Sequence, residues 1–263
     1  MDGFASAFLK VKRANMHIAE VHSLSVNFSS GNFYNVAIEN EPETGANFLC
    51  FDINTSGFPF DDAAVGIGDA VHNLRSSLDH LYYQVVLCCG GTPTQWTRFP
   101  IYDLKDRLQT HLNGALKHKQ ISDAVATLIL NRIRPYQTGD RNISGNRNIW
   151  GIHDLNIRDK HKVLTPIIKL TGIWDIRIED ENHTQFGSGE YFISNSCRIR
   201  LSDADDRIVT LKNKGHGLAF IIFDEGMPLK GQPVIATLRN MSREVTRTIE
   251  AFASLLSLKS ART

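Results

Sequence analysis

The chain has 263 residues, of which 42% are hydrophobic and 22% charged, a balance that excludes a protein disordered along its length. Its 29 Lys and Arg against 28 Asp and Glu leave a net charge of +1, which disfavours extended coating of nucleic acid but permits a small basic cleft. The sequence shows no secretory signal, no apolar stretch near the roughly 20 residues of a membrane span, and no CxxC pair. We therefore expect a cytoplasmic protein without a membrane segment.

The first third of the chain carries signals for two long helices separated by a hairpin. Apolar residues at three- and four-residue spacing predict a helix over 3–25. Two alternating runs, 33–38 and 47–53, flank a turn-rich segment and predict a β-hairpin. Acidic residues at 61 and 62 suit the positive end of a helix dipole, and they open a second helix near 61–87.

Helices continue to about residue 164, and the sequence then changes to a β pattern. We predict helices at 103–117, 121–133 and 148–162, with an exposed loop at 137–147. Alternating runs separated by Gly- and Asp-rich turns predict strands from 165 to 234, before a last helix at 237–258. The predicted fold class is α+β: a helical body, 1–164 plus 235–263, with the hairpin at 33–53 and an inserted antiparallel β-sheet at 165–234.

The second helix has an apolar face and an unusual polar face. On the polar face lie Asp69, His72, Asn73, Arg75, Ser76, Asp79 and His80. Residues 69–80 contain no Lys, Glu or Gln, although a solvated helix face normally uses them because they favour helix formation. Short polar side chains with fixed hydrogen-bond geometry indicate a face that meets other protein groups or a ligand.

Two hypotheses explain this polar face. In the first, it lines a catalytic or binding cleft, where histidines move protons near neutral pH and Arg75 supplies a fixed positive charge. In the second, the protein is a non-catalytic binding or scaffold protein, and Arg75, Asp79 and the histidines form a buried structural network. The position of Arg75 and His80, in one open pocket or in a buried mutual pair, discriminates between the two.

The segment from Arg75 to His80 fits the Arg-x4-His pattern of the HEPN superfamily of helical nucleases, which this chain resembles. The surrounding HNLRSSLDHL, with LNIRDKH at 155–161, is also similar to a set of uncharacterised bacterial proteins. The first resemblance implies metal-independent cleavage of RNA by a homodimer, often in a defence or toxin system. It implies that Arg75 stabilises charge at phosphorus while a histidine moves a proton, with catalytic roles for His72, Asp79 and His80.

Other residues are candidates for this site. Arg147 and His153 form a rival Arg–His pair. Polar residues at and beyond the end of the 148–162 helix are expected to support or bind at the site, together with Asn73 and Ser76: Asn156, Asp159, Lys160 and His161. No closed ligand set is evident, so we expect no metal and no cofactor. Aromatic residues are expected in the core and not on a base-stacking platform: Tyr82, Tyr83, Trp96, Trp150 and Trp174.

Overall fold

The computed structural model of the protein describes residues 3–138, 145–183, 185–192, 198–201, 207–227 and 229–260. These residues form an α+β fold, as the sequence predicts. Its helices are α1 Ala5–Ser29, α2 Phe60–Cys88, α3 Lys105–Lys117, α4 Asp123–Thr127, α5 Arg147–Asp159 and α6 Val234–Ser260. Its strands are β1 Tyr34–Glu41, β2 Ala46–Ile53, β3 Tyr102–Leu104, β4 Tyr136–Thr138, β5 Pro166–Asp180, β6 Gln185–Phe192, β7 Arg198–Arg200 and β8 Val209–Phe223.

The first of two compact units comprises Met1–Val21, Asp61–Thr165 and Phe223–Thr263. Helix α2 supplies much of its core, because the apolar face predicted from the sequence is fully buried at Ile67, Leu74 and Leu78. Gly68 lies directly under the carboxylate of Asp159 on α5, where a Cβ would overlap it. The glycine therefore leaves room for this carboxylate beside α2, and it lies inside a helix and not in a nucleotide-binding loop.

The last helix packs on the other helices of this unit. Met241 of α6 lies over Gly151 of α5, where a side chain on the glycine would collide with it. The ring of Phe252 meets that of Phe99 edge-on, with 6.4 Å between centroids. Both Met241 and Phe252 are fully buried. Helix α6 thus joins the helical body even though the whole β region precedes it in the chain.

The second unit comprises His22–Phe60 and Pro166–Ile222, and it contains the larger sheets. Strands β1 and β2 form the predicted antiparallel hairpin, and β2 also pairs with β7 from the inserted region. A further sheet has the order β6-β5-β8. A shared apolar cluster includes Leu49 of the hairpin and Ile173 and Ile178 of β5. The structure therefore groups the hairpin with the β insertion, whereas the sequence predicted the hairpin as part of the helical body.

Several local features differ from the sequence predictions. The helix expected over 121–133 is α4 followed by a π-helical turn, Leu128–Ile133, and it stops at Arg134, which has a φ of 54°. Strands β3 and β4, which were not predicted, pair in parallel. Strand β8 ends at Phe223, so the residues just before α6 form a connection and not the end of a strand. Of the predicted loop at 137–147, residues 139–144 lie outside the described part of the chain.

Candidate functional site

Arg75, in the middle of α2, binds both a side chain of its own helix and the backbone of another segment. Its Nη2 donates to Oδ1 of Asp79 at 2.8 Å and to the carbonyl oxygen of Phe99 at 2.9 Å. The same oxygen of Asp79 accepts the backbone N–H of Phe99 at 2.8 Å. Burial lowers the pKa of Arg75 and raises the pKa of Asp79, and the ion pair opposes both shifts. Together the pair fastens the segment around Phe99 onto α2.

The other terminal nitrogen of Arg75 has a different environment. Arg75 is only 8% exposed. Among the side chains that the structure describes, its Nη1 is the one buried nitrogen or oxygen without a hydrogen-bond partner. Leaving such a donor unsatisfied costs about 1–3 kcal/mol, and more when the group is charged. A buried cationic donor for which no described residue supplies an acceptor is suited to receive an anionic ligand.

Arg75 lines a cleft of about 770 Å³ in the helical unit. The cleft is bordered by the segment 92–102, by α3 and by His153 of α5. Its charged, titratable or phenolic lining residues are Arg75, Tyr82, Arg98, Tyr102, His111, His118 and His153. None of the described residues that line it is Asp or Glu. The charge of the cleft wall therefore favours an anion over a cation.

His153 projects from α5 and contributes one of the two partly buried imidazoles of the cleft. Its ring lies 5.5 Å from that of Trp150, one turn earlier on the same helix. Burial is the main reason that the pKa of His153 falls to about 4, and the positive charges of Arg75 and Lys160 lower it further against the opposing effect of Asp154. At neutral pH this imidazole is uncharged and close enough to Arg75 to respond to its charge.

The second partly buried imidazole belongs to His111 on α3. Its Nδ1 lies 3.0 Å from the hydroxyl oxygen of Tyr102, which fixes the plane of the ring. Burial lowers the pKa of His111 and raises the pKa of Tyr102. When Nδ1–H donates to the tyrosine oxygen, the lone pair of Nε2 is free to accept a proton. The cleft thus combines two neutral imidazoles with a buried guanidinium.

The polar residues predicted on α2 do not all meet at this cleft. His80 is exposed and is not among the residues that line it. His72 is also exposed, with Nε2 at 3.5 Å from Oγ of Ser76. Asn73 donates to the carbonyl oxygen of Asp69 at 2.8 Å, within its own helix. Arg75 and His80 therefore do not both line this cleft, and their pairing in catalysis stays a prediction.

The residues predicted around the end of α5 are dispersed as well. Asn156 is buried, whereas Lys160 and His161 are exposed. Asp159 is near Asp69 and His72, and its pKa is raised by burial and by Asp69, with His72 opposing. Asp159 lies at Gly68 of α2, about two helical turns before Arg75. None of these residues lines the cleft.

The cleft combines Arg75 from the Arg75–His80 pattern with His153 from the Arg147–His153 pattern. Arg147, the rival arginine, is exposed in the first turn of α5, but His153 from the same pattern lines the cleft with Arg75. His111 and Tyr102 were missed, because neither lies in a motif or on a helix face of unusual composition. No local signal in the sequence connects them with Arg75.

The aromatic residues expected in the core are not all buried. Tyr82 is buried and lines the cleft, and burial raises its pKa to about 12. Trp96, however, is 77% exposed at the cleft, and Trp174 and Tyr83 are exposed as well. The expectation that these residues belong to the core is therefore wrong for Trp96, Trp174 and Tyr83. Trp96 is exposed because its segment is a turn at the surface and not part of a packed element.

Comparisons with known proteins give no assignment for this arrangement. No protein-family model, curated protein or solved structure matches the chain. Within the described residues, no group of three or more His, Cys, Asp or Glu side chains is placed to hold a metal ion. No helix among them is long and apolar enough to cross a membrane. The chemistry of the cleft is therefore the basis for a functional proposal.

Proposed function

We propose that this protein is a metal-independent ribonuclease that binds a phosphodiester of RNA in the Arg75–His153 cleft. The proposal is carried by Arg75, which lines a cleft together with His111 and His153 and whose buried Nη1 has no hydrogen-bond partner among the described residues. A phosphate oxygen supplies the acceptor that this nitrogen lacks. Arginine is also the side chain best suited to stabilise charge that develops on phosphorus.

The two imidazoles supply the proton transfers that RNA cleavage needs. His111, oriented by Tyr102, takes the proton of the ribose 2′-hydroxyl as that oxygen attacks phosphorus. The bond from phosphorus to the 5′-oxygen breaks, and His153 protonates that leaving oxygen. The products are a 2′,3′-cyclic phosphate and a free 5′-hydroxyl. No metal or cofactor takes part in these steps.

A bound phosphate also prepares His153 for its role as an acid. In the free protein the pKa of His153 is about 4, and at neutral pH the ring carries no proton to donate. A phosphate anion at Arg75 neutralises much of the positive charge that His153 experiences and adds a negative charge nearby. Both changes favour the imidazolium, so substrate binding raises the pKa of His153 toward the working pH.

The resemblance to HEPN nucleases extends the proposal in two ways. It adds a homodimer as the active form and a role in a bacterial defence or toxin system in the cytoplasm. The dimer is tested by light scattering with the purified full chain at several concentrations. A monomer that cleaves RNA with full activity would remove the dimer from the proposal and leave the cleft chemistry in place.

The central test is RNA cleavage by the full chain in EDTA, with variants at four positions. Arg75→Gln, His111→Gln and His153→Gln are each expected to lower the rate by roughly 10²- to 10⁴-fold, because each removes transition-state charge stabilisation or a proton-transfer group. His80→Gln is the matched control, since His80 is exposed and does not line the cleft. A large loss with His80→Gln and none with His153→Gln would instead support the Arg75–His80 pair.

A second candidate function is favoured by the three hydrogen bonds that join Arg75, Asp79 and Phe99. These bonds fit a non-catalytic binding or scaffold protein in which Arg75 holds a surface segment in place. In that case wild-type protein cleaves no RNA, whereas Arg75→Gln lowers stability because Asp79 and the Phe99 carbonyl lose their donor. Thermal unfolding measured beside the cleavage assay separates the two functions.

A further inference from the structure

Trp96 is an exposed tryptophan at the border of the cleft that contains Arg75 and His153. It leaves 77% of its surface in contact with water, although burying an aromatic side chain of this size stabilises a protein by roughly 1.5–3 kcal/mol or more. An exposed aromatic ring at the border of a cleft is placed to contact a ligand that enters the cleft.

The turn that holds Trp96 is fixed by several hydrogen bonds. The N–H of Trp96 donates to Oγ1 of Thr94 at 3.2 Å, and the N–H of Thr94 donates to Oγ1 of Thr97 at 2.9 Å. The N–H of Thr97 donates to the carbonyl oxygen of Thr94 at 3.0 Å. Arg98 Nη1 donates to the carbonyl oxygens of Gln95 and Thr97 at 3.0 and 3.2 Å. The backbone at Trp96 is therefore ordered before any ligand binds, which lowers the entropy cost of binding.

The same turn is attached directly to the proposed phosphate site. Phe99, three residues after Trp96, accepts a hydrogen bond from Arg75 and donates one to Asp79. The guanidinium of Arg75, whose Nη1 is the proposed donor to a phosphate, therefore also holds the turn that contains Trp96. A ligand that extends from Arg75 to the border of the cleft would contact the Arg75 guanidinium at one end and the Trp96 ring at the other.

We propose that Trp96 stacks on an unpaired base of the nucleic-acid strand whose phosphate binds at Arg75, so that the substrate is single-stranded. This inference rests on the proposed function, and it names the substrate class of the same site. An aromatic platform beside cationic side chains is the arrangement that binds single strands, because every base presents a face for stacking. A duplex keeps its bases stacked on each other and cannot offer one to Trp96 without unpairing. The lack of Asp and Glu in the described lining agrees with a polyanionic partner.

The test measures binding separately from cleavage. The probe is a short fluorescein-labelled oligoribonucleotide with methylated 2′-hydroxyls, which cannot be cleaved, used as a single strand and as a duplex. Trp96→Ala is expected to weaken binding of the single strand about tenfold, the loss typical of one stacked base. Trp174→Ala is the matched control, because Trp174 is also exposed but does not line the cleft. A single-stranded DNA of the same sequence tells whether the ribose contributes.

A second readout reports on the ring itself. In a variant with Trp150→Phe and Trp174→Phe, Trp96 is the remaining tryptophan, and stacking on a base is expected to quench its fluorescence as the single strand binds. Unchanged fluorescence at saturation would overturn the inference, as would equal binding by Trp96→Ala and wild type. Tighter binding of the duplex, or of an acidic peptide, would overturn it too.

The outcomes also separate this inference from the ribonuclease proposal. If the single strand binds through Trp96 but unmodified RNA is not cleaved, the stacking inference stands and the ribonuclease proposal fails. If RNA is cleaved at the same rate by Trp96→Ala and wild type, at subsaturating RNA, the cleavage proposal stands and the stacking inference fails. If neither RNA nor the oligonucleotide binds, both are wrong.

Discussion

Arg75 of α2 and His153 of α5 line the same cleft, and the charge of Arg75 adds to burial in holding the pKa of His153 near 4. Arg75 is itself held by Asp79 and by the Phe99 carbonyl through one terminal nitrogen, while the other has no partner in the part of the chain that the structure describes. This electrostatic contact connects α2 and α5, two helices that are far apart in the chain. It yields predictions that do not depend on knowing the substrate.

The first prediction concerns stability as the pH falls. The pKa of His153 is about 4 in the folded protein, against 6.5 for an ordinary histidine. Between these values the unfolded chain binds a proton that the folded protein does not, so acidification favours unfolding. The loss begins as pH falls through about 6.5 and is complete near 4, and after allowance for partial exposure it amounts to about 1–3 kcal/mol. Urea unfolding of wild type and His153→Gln over this pH range measures it.

His153→Gln is expected to lose less stability than wild type over the same range, because glutamine does not titrate. Equal losses of stability in wild type and His153→Gln would show that the His153 imidazole is not buried as the structure describes.

The second prediction concerns the electrostatic contact between Arg75 and His153. Arg75→Gln removes a positive charge that lowers the pKa of His153, so that pKa should rise, while burial still keeps it below 6.5. Inorganic phosphate added to wild type should shift it in the same direction if the anion binds at Arg75. Both changes are measured by NMR titration of the His153 ring protons. No phosphate effect in wild type would argue against an anion site beside this histidine.

The third prediction concerns the ion pair of Arg75 and Asp79. Arg75→Ala leaves Asp79 and the Phe99 carbonyl without their donor, and we expect a loss of about 2–3 kcal/mol in unfolding free energy. Asp79→Asn should cost less than Asp79→Ala, because the amide oxygen still accepts the Phe99 N–H. A double-mutant cycle with both alanines should give a coupling of about 0.5–3 kcal/mol. Additive losses would mean that the two side chains are not in contact in solution.

The fourth prediction concerns the contact between Gly68 of α2 and the Asp159 carboxylate of α5. Gly68→Ala should lack the stabilisation expected of a helical Gly→Ala change and should cost up to about 1 kcal/mol, because its Cβ would displace the Asp159 carboxylate. Gly114→Ala in α3 is the matched control, since nothing lies within 4 Å of the Cβ position there. That control should stabilise by about 0.5–1 kcal/mol through reduced backbone freedom of the unfolded chain. Asp159→Ala combined with Gly68→Ala should recover part of the loss, and equal effects at both glycines would contradict this packing.

Much of the fold was predictable from the sequence because the signals are local. The apolar spacing in α2 predicted both its extent and its buried face, and the alternating runs predicted the hairpin of β1 and β2. The composition of residues 69–80 also indicated a special polar face, and Arg75 on that face does line the cleft. These features depend on the period of a helix or strand and on residues within a few positions of one another.

Tertiary packing alone decided the rest. Which imidazoles line the cleft with Arg75 depends on where the fold places α3 and α5, and that placement selects His111 and His153 while it leaves His80 in solvent. The pairing of β2 with β7 likewise joins segments far apart in the chain, so the position of the hairpin could not follow from its own alternation. Trp96 is exposed because its turn covers no core. The periodicity of a helix or strand specifies which of its faces is buried. The residues that pack against that face come from distant parts of the chain, and the free energy of packing the whole fold selects them.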